Sequence, residues 1–222
     1  MQDAISQLKD VGAIYSDRHF ILKSGLHSEA YINPDVVLAY PWTIFSIAED
    51  MAVPFYDDAM RGDLVCVGPE FGGNYFAWGV AVNLIKMTGR QVKWVATRKA
   101  GDHFEVEPDR GFERLLAGAD VLFVEDLLTT GGSVVRTIDS IKSYCDFNTV
   151  GVTVAINRGA VTAEKLGVPV LHTAADFSLE TQEAESCRWC AEGRPIIEDV
   201  GHGDLYKVHN PDYPGGYDKL FG

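Results

Sequence analysis

Five strand-length runs are largely apolar and are separated by helical segments: LVCVG at 64–68, VKWVATR at 92–98, ADVLFVED at 119–126, TVGVTVAIN at 149–157 and PVLHTAA at 169–175. A strand with one wet face alternates polar and apolar residues, so unbroken apolar runs mean burial on both faces. With helices between them, such strands predict a parallel sheet joined by right-handed crossovers. The expected fold class is therefore α/β, a doubly wound parallel sheet. Its helices show the matching period, with Phe76, Val80, Leu84 and Met87 on one side of the first and Val134, Ile138 and Ile141 on another. A short helix is expected around Ala163 to Leu166.

Upstream of the sheet, Asp3 reads as the N-cap of an opening helix whose apolar side is Ile5, Leu8 and Val11 and which stops at Gly12. HFILKSGLHSEAYIN reads as two short strands around a Ser-Gly turn, followed by a break at Pro34 and a longer helix from about Trp42, kinked near Pro54. The polar stretch from Ala100 to Gly111 reads as a mobile loop or hairpin, and the Gly, Pro and Tyr-rich tail after Pro195 as an extended arm packed on a neighbouring surface. No linker divides the 222 residues, so one domain is expected. Its parts would be a small hood from about 1–40 with a carboxy-terminal segment, a core from about 41–175 and an arm from about 195–222.

Charge excludes several classes of partner. With 19 basic and 32 acidic residues the formal charge is −13, which disfavours nucleic acid and anionic membranes. No apolar run approaches the ~18 residues of a membrane helix. MQDAISQLKD lacks a basic region followed by an apolar one, so no secretory signal is read and the cytoplasm is the expected compartment. Four cysteines are too few for a disulfide framework, and Cys66 and Cys145 read as small buried hydrophobes. Cys187 and Cys190 form a C-x-x-C, half of a zinc site, but no second pair of similar spacing exists and no zinc is expected. Against the acidic background, Lys86, Arg90, Lys93, Arg98 and Lys99 fall in a stretch without Asp or Glu. This cationic island is either a solvated edge or a surface that receives a small polyanion.

Ligands of such sheets bind beyond the carboxyl ends of the strands, which directs attention to VLFVEDLLTTGGS at 121–133. Glu125 and Asp126 stand together where the strand leaves the core. Adjacent carboxylates there are costly unless they accept hydrogen bonds or face a cation, and vicinal sugar hydroxyls would satisfy them. Thr129, Thr130, Gly131, Gly132 and Ser133 then lead into a helix, offering hydroxyls, free amides and the positive end of the helix dipole to a phosphate. Together these groups fit a ribose 5-phosphate. No Walker A loop, G-x-G-x-x-G or Gly-x-Ser-x-Gly elbow occurs.

VLFVEDLLTTGGSV resembles the phosphoribosyl-diphosphate-binding motif of the type I phosphoribosyltransferases, and among them the chain is most similar to the orotate enzymes. FILKSGLHSEAYIN resembles the amino-terminal segment with which those enzymes hold the pyrimidine, and VGPEFGG their pyrophosphate-binding turn. AINRGA places Arg158 where the family's Arg pairs with the orotate carboxylate, and SCRWCAEGRPI resembles a segment of one branch. The similarity covers about residues 15–197.

The resemblance implies phosphoribosyl transfer from 5-phosphoribosyl 1-diphosphate to orotate with Mg2+ as cofactor, in a homodimer whose mobile loop closes across the interface. Arg98, Lys99 and His103 would stabilise departing pyrophosphate, and Asp126, with Glu125, would accept from the ribose hydroxyls and place Mg2+ through water rather than bind it directly. Thr129 to Ser133 would hold the 5-phosphate, while Phe71, Gly72 and Gly73 would let the backbone approach the pyrophosphate. Lys23 would pair with base or pyrophosphate, Tyr31 would stack on the pyrimidine or serve as core, and Arg158 would grip the carboxylate. Many orotate enzymes carry a Lys where this chain has Gly72, and another in the loop where it has Ala100, Gly101 and Asp102. Alternatives are a transferase for a purine or uracil and a regulator that binds the diphosphate without turnover.

Overall fold

The computed structural model describes residues 3–106 and 111–221. The expected loop's residues 107–110 lie outside the described part. The chain packs into two compact units, Met1–Val11 with Pro34–Ser178, and Gly12–Asn33 with Leu179–Gly222.

The first unit contains helices α1 (Ala4–Asp10), α2 (Pro41–Ala52), α3 (Gly72–Thr88) and α4 (Gly132–Lys142). Its strands are β1 (Leu64–Gly68), β2 (Lys93–Ala100), β3 (His103–Val106), β4 (Asp120–Leu128), β5 (Asn148–Asn157) and β6 (Leu171–Asp176), ordered β6-β5-β4-β1-β2-β3. All neighbours are parallel except β2 and β3, an antiparallel hairpin at the edge. The sheet is thus parallel as expected over five strands, and the polar stretch after Ala100 takes the hairpin alternative.

Both faces of the sheet's centre are covered, which is why β1 and the body of β4 are apolar and buried. On one face Val65, Val67, Phe123 and Val152 pack with Val134, Ile138 and Ile141 of α4. Each such side chain contributes about 1.5–3 kcal/mol on full burial. On the other, Thr153 of β5 donates to the Met51 carbonyl of α2 at 3.0 Å, and α3 packs on α2, β1 and β4. Asn83 of α3 donates to the Phe45 carbonyl of α2 at 3.0 Å. Asp3 caps α1 by accepting from the Ser6 amide, and Pro54 ends α2 in a short 3-10 turn before a further helix, Tyr56–Arg61.

In the second unit, Phe20–Ile21 pairs with His27–Ser28, which also pairs with Thr181–Gln182, while Ile14–Tyr15 pairs with Tyr31–Ile32. Phe20, Ile197 and Val200 form its apolar centre, with Tyr15, Tyr31 and Leu220 packed against them. Two boundary expectations are corrected here. Residues 3–11 and 34–40 belong with the sheet unit, not with a hood. The tail is not an extended arm: it forms helix Gly203–His209 and strand Tyr217–Asp218, the latter parallel to Ile196–Ile197. Hydrogen bonds hold it within its own unit, from the Leu220 and Phe221 amides to Asp199 and from the Tyr213 hydroxyl to the Arg194 carbonyl.

Candidate active site

Strand β4 runs from the centre of the sheet straight into the site. Val121 to Val124 are fully buried, Glu125 is 6% exposed, and Asp126 is half-buried. The Asp126 amide donates to Glu125 Oε1 at 3.1 Å, and the Leu127 amide to Asp126 Oδ1 at 2.7 Å. Burial, with the Asp126 carboxylate beside it, drives the Glu125 carboxyl well above the usual range. Burial also raises Asp126, opposed by its hydrogen bonds. The pair is therefore primed for partners that donate hydrogen bonds or carry positive charge.

Beyond β4 the chain turns through Thr129 and Thr130 to Gly131, the N-cap of α4, at φ +82° and ψ 1°. This left-handed conformation suits Gly and strains other residues. Thr130 Oγ1 accepts from the Gly132 amide at 3.4 Å. A cavity of about 120 Å³ opens here, lined by Glu125, Thr129 to Ser133 and Arg136, well above the ~10–15 Å³ that one water requires. The Glu125 carboxyl closes one side of it, while helix amides, two Thr hydroxyls and a guanidinium surround the rest.

The pyrophosphate-type turn, residues 69–73, leaves β1 between its neighbours β2 and β4 and meets the carboxyl pair directly. Asp126 Oδ2 sits 1.9 Å from where a Cβ on Gly72 would stand, so the acid fills the space that a Gly72 side chain would need. Gly73 lies beside the other acid, its Cβ position 3.0 Å from Glu125 Oε1. Asn74 pins the turn to β2: its amide group donates to the Thr97 carbonyl at 2.7 Å and accepts from the Thr97 amide at 3.0 Å. Glu70 accepts from the Lys99 amide, tying the turn to the hairpin. Phe71 turns its ring away to the surface, 56% exposed and edge-on to Tyr75.

Arg158 follows β5, and its amide donates to the Leu128 carbonyl at 2.8 Å, which sets it beside the cradle. Arg98 and His103 lie on the β2–β3 hairpin and meet the same Glu105, Arg98 at 2.6 Å and His103 Nε2 at 3.8 Å. The cationic island therefore divides. Lys93 pairs with Asp63 at 2.9 Å and Lys86 lies 4.6 Å from the Phe45 ring centroid, local contacts that account for both, while Arg98 and Lys99 stand at the end of β2. Lys23 and Tyr31 belong to the second unit, Lys23 exposed in a turn and Tyr31 half-buried with its ring 5.8 Å from that of Phe20.

Asn74 and Arg136 lie outside the motifs and join the site only through the fold, and Glu70, although inside VGPEFGG, has no role of its own legible in the sequence. Arg136 had one sequence signal, a cation within the first turn and a half of the helix that follows the Gly pair. All four cysteines are free thiols. Burial raises Cys66 and Cys145, and pushes Cys190 up to about 11, so none of these three is an activated nucleophile.

A parallel α/β sheet with an acid pair and amide cradle beyond its central strand has the fold of the type I phosphoribosyltransferases. Among solved structures, orotate phosphoribosyltransferase from Aeropyrum pernix superposes with a TM-score of 0.56 at 25% identity, over 78% of this chain and 93% of that one. No family model matches the sequence. Orotate phosphoribosyltransferase of Caldicellulosiruptor bescii is 34% identical over 194 residues, 87% of this chain and 94% of the relative. That of a Thermoanaerobacter species is 33% identical over 182 residues, 81% and 87% of the respective chains. The chain belongs to the orotate phosphoribosyltransferase family.

Proposed function

We propose that this pentosyltransferase moves the phosphoribosyl group of 5-phosphoribosyl 1-diphosphate to orotate, yielding orotidine 5′-phosphate and pyrophosphate for pyrimidine nucleotide synthesis. The observation that carries the reading is the adjacent Glu125–Asp126 pair, buried at Glu125 and half-buried at Asp126, joined to the Thr129–Ser133 cradle in a chain of this family. A ring nitrogen of orotate attacks the anomeric carbon as that carbon's bond to pyrophosphate breaks; the bonding electrons leave with pyrophosphate, and the ring N–H proton is released to the departing pyrophosphate or to solvent. Positioning and charge stabilisation then supply most of the catalysis.

In this reading Thr129 to Ser133 and Arg136 hold the 5-phosphate, and Glu125 and Asp126 accept from the ribose hydroxyls. The turn of Phe71, Gly72 and Gly73 receives the diphosphate through its backbone. Arg98, Lys99 and His103 stabilise the leaving group, each such donor worth on the order of 100-fold in turnover. Binding the substrate would draw Arg98 from Glu105, its cross-strand partner. Arg158 takes the orotate carboxylate in bidentate fashion, and Lys23 and Tyr31 serve the base. The all-oxygen donor set of Glu125 and Asp126 suits a hard divalent cation, so Asp126 would place Mg2+ through water. When bound, Mg2+ supplies neutralising charge to the diphosphate.

The enzyme is further proposed to act as a homodimer, with the β2–β3 hairpin reaching the partner's site, and to work in the cytoplasm. Support for the dimer comes from an apolar surface cavity of about 490 Å³ beside the turn, lined by Phe71, Tyr75, Trp78 and Trp94. These side chains are 56%, 44%, 48% and 39% exposed, an apolar patch of the kind that a second chain covers. No described helix is long and apolar enough to cross a membrane.

The test is the absorbance change of orotate on mixing the protein with phosphoribosyl diphosphate and Mg2+, with uracil, hypoxanthine and adenine as alternative acceptors. Turnover with orotate alone is expected. Reaction with a different base only would overturn the acceptor, and diphosphate binding without turnover would make the chain a sensor.

A further inference from the structure

The second unit brings together four residues that the reaction leaves unused. His19 precedes strand Phe20–Ile21, His27 begins the strand paired with it, Cys187 caps helix Arg188–Ala191, and Cys190 lies within that helix. One ligand atom from each lies within 4.8 Å of all the others. His19, His27 and Cys187 are buried and Cys190 is half-buried. The C-x-x-C that lacked a second cysteine pair in the sequence has two histidines as its partners in the fold.

The distances match one small tetrahedral ion. With Zn–N near 2.05 Å and Zn–S near 2.3 Å, tetrahedral angles set N···S edges of about 3.5–3.6 Å and an N···N edge of about 3.3–3.4 Å. The observed N···S separations are 3.6 Å for Cys187 with His19 Nε2, 3.9 Å for Cys190 with His19 Nε2 and 3.3 Å for Cys190 with His27 Nδ1. His19 Nε2 and His27 Nδ1 are 2.8 Å apart, a hydrogen bond that would open by about 0.5 Å around an ion.

The surroundings orient the same atoms. The far nitrogen of His19, Nδ1, lies 3.2 Å from the Arg194 carbonyl, which can only accept. That contact puts the hydrogen on Nδ1 and leaves the Nε2 lone pair directed into the cluster, the usual support of a metal-bound His. The Cys190 amide donates to Cys187 Sγ at 3.4 Å, which holds that sulfur in place beside the histidines.

We propose that His19, His27, Cys187 and Cys190 form a structural zinc site that fastens the 12–33 segment to the 179–222 segment. His27 and Cys190 are 163 positions apart in sequence, so an ion held by both closes a very long loop. All four positions are protein ligands, which marks a closed structural centre and not a catalytic one. Two soft thiolates and two imidazoles select zinc over the hard Mg2+ proposed for the reaction.

The experiment is elemental analysis of tag-free protein, reconstituted with Zn2+ under reductant and desalted. About one zinc per chain is expected for the wild type and for Cys145→Ser, with a loss of at least about tenfold in Cys190→Ser and His27→Asn. A second measurement does not depend on those variants folding: wild-type protein titrated with Co2+ should show thiolate-to-cobalt charge-transfer and tetrahedral ligand-field bands that Zn2+ abolishes. Chelation should lower the unfolding midpoint, and Zn2+ should restore it. A wild-type chain that retains less than about a tenth of a zinc and gives no cobalt bands overturns the site. Full zinc content in folded Cys190→Ser would overturn this ligand set.

Discussion

Gly131→Ala is the sharpest probe of the phosphate cradle, because backbone and packing oppose it together. The residue sits at φ +82°, where a non-glycine side chain costs about 1–2 kcal/mol. Its new Cβ would also stand 2.4 Å from Leu166 Cδ2, so that methyl must retreat by roughly 0.6 Å to reach even a tight contact at 3.0 Å. For a chain of this size the strain alone lowers the unfolding midpoint by about 2–8 °C. If the loop relieves it by leaving the left-handed region, the amides that open α4 swing off the phosphate. A displacement near 1 Å then costs on the order of 100-fold. Gly118→Ala, just before β4 and so at the end of the strand remote from the cradle, is the matched control: its φ is +72° and nothing lies within 4 Å of its Cβ position, so it carries the backbone strain without the clash. Thermal melts and steady-state kinetics in both substrates measure the contrast. Gly131→Ala should have a raised KM for phosphoribosyl diphosphate or lose more stability than the control, while Gly118→Ala loses about 1–2 kcal/mol and keeps both KM values within about twofold of wild type. Equal behaviour of the two variants, or a native Gly131→Ala, would refute the cradle geometry.

Asp126→Asn should preserve the far-ultraviolet circular dichroism spectrum and weaken both diphosphate binding and turnover, and unchanged kinetics would remove the ribose assignment. Arg158→Lys retains charge but loses the fork, so KM for orotate should rise about tenfold or more with little change for the diphosphate; equal effects on both would place Arg158 elsewhere. Glu125 holds its proton more firmly folded than unfolded, so its contribution is full below the unfolded value near pH 4.3 and is lost as pH rises through the folded value. Denaturation without ligand should therefore show wild-type stability falling from pH 5 to 8 by up to ~1.4 kcal/mol per unit more steeply than Glu125→Gln, and parallel profiles would contradict a buried, raised carboxyl. Trp94→Glu should shift a sedimenting dimer toward monomer, and a dimer of unaltered affinity would put the interface on a different face.

Much of the first unit is legible in the chain because its signals are local. LVCVG and VLFV report burial on both sheet faces without any knowledge of their neighbours, and β1 and β4 are buried in that way. The acid pair, Thr pair, Gly pair and Ser are contiguous, so one short segment builds the cradle as soon as its strand and helix form. Asp3 and Pro54 act within a turn of their own positions: Asp3 starts α1 where expected, and Pro54, expected to kink a longer helix, ends α2 in a 3-10 turn instead. The tail was misread because Tyr, Pro and Gly content describes a segment in isolation, whereas its order comes from Asp199 and Arg194, residues it meets only after folding back.

What the sequence determined by itself, then, was the sheet's layered character and the chemistry beyond its central strand, both encoded by residues close together in the chain. Tertiary structure alone decided the pairings between distant residues. Lys93 met Asp63, Glu105 met Arg98 and His103, and Glu70 met the Lys99 amide, so a run of like charges became separate local contacts with different fates. It also decided that His19 and His27 face Cys187 and Cys190. No spacing rule spans more than 150 residues, since the order of residues along a chain constrains neighbours strongly and remote pairs only through the fold that joins them.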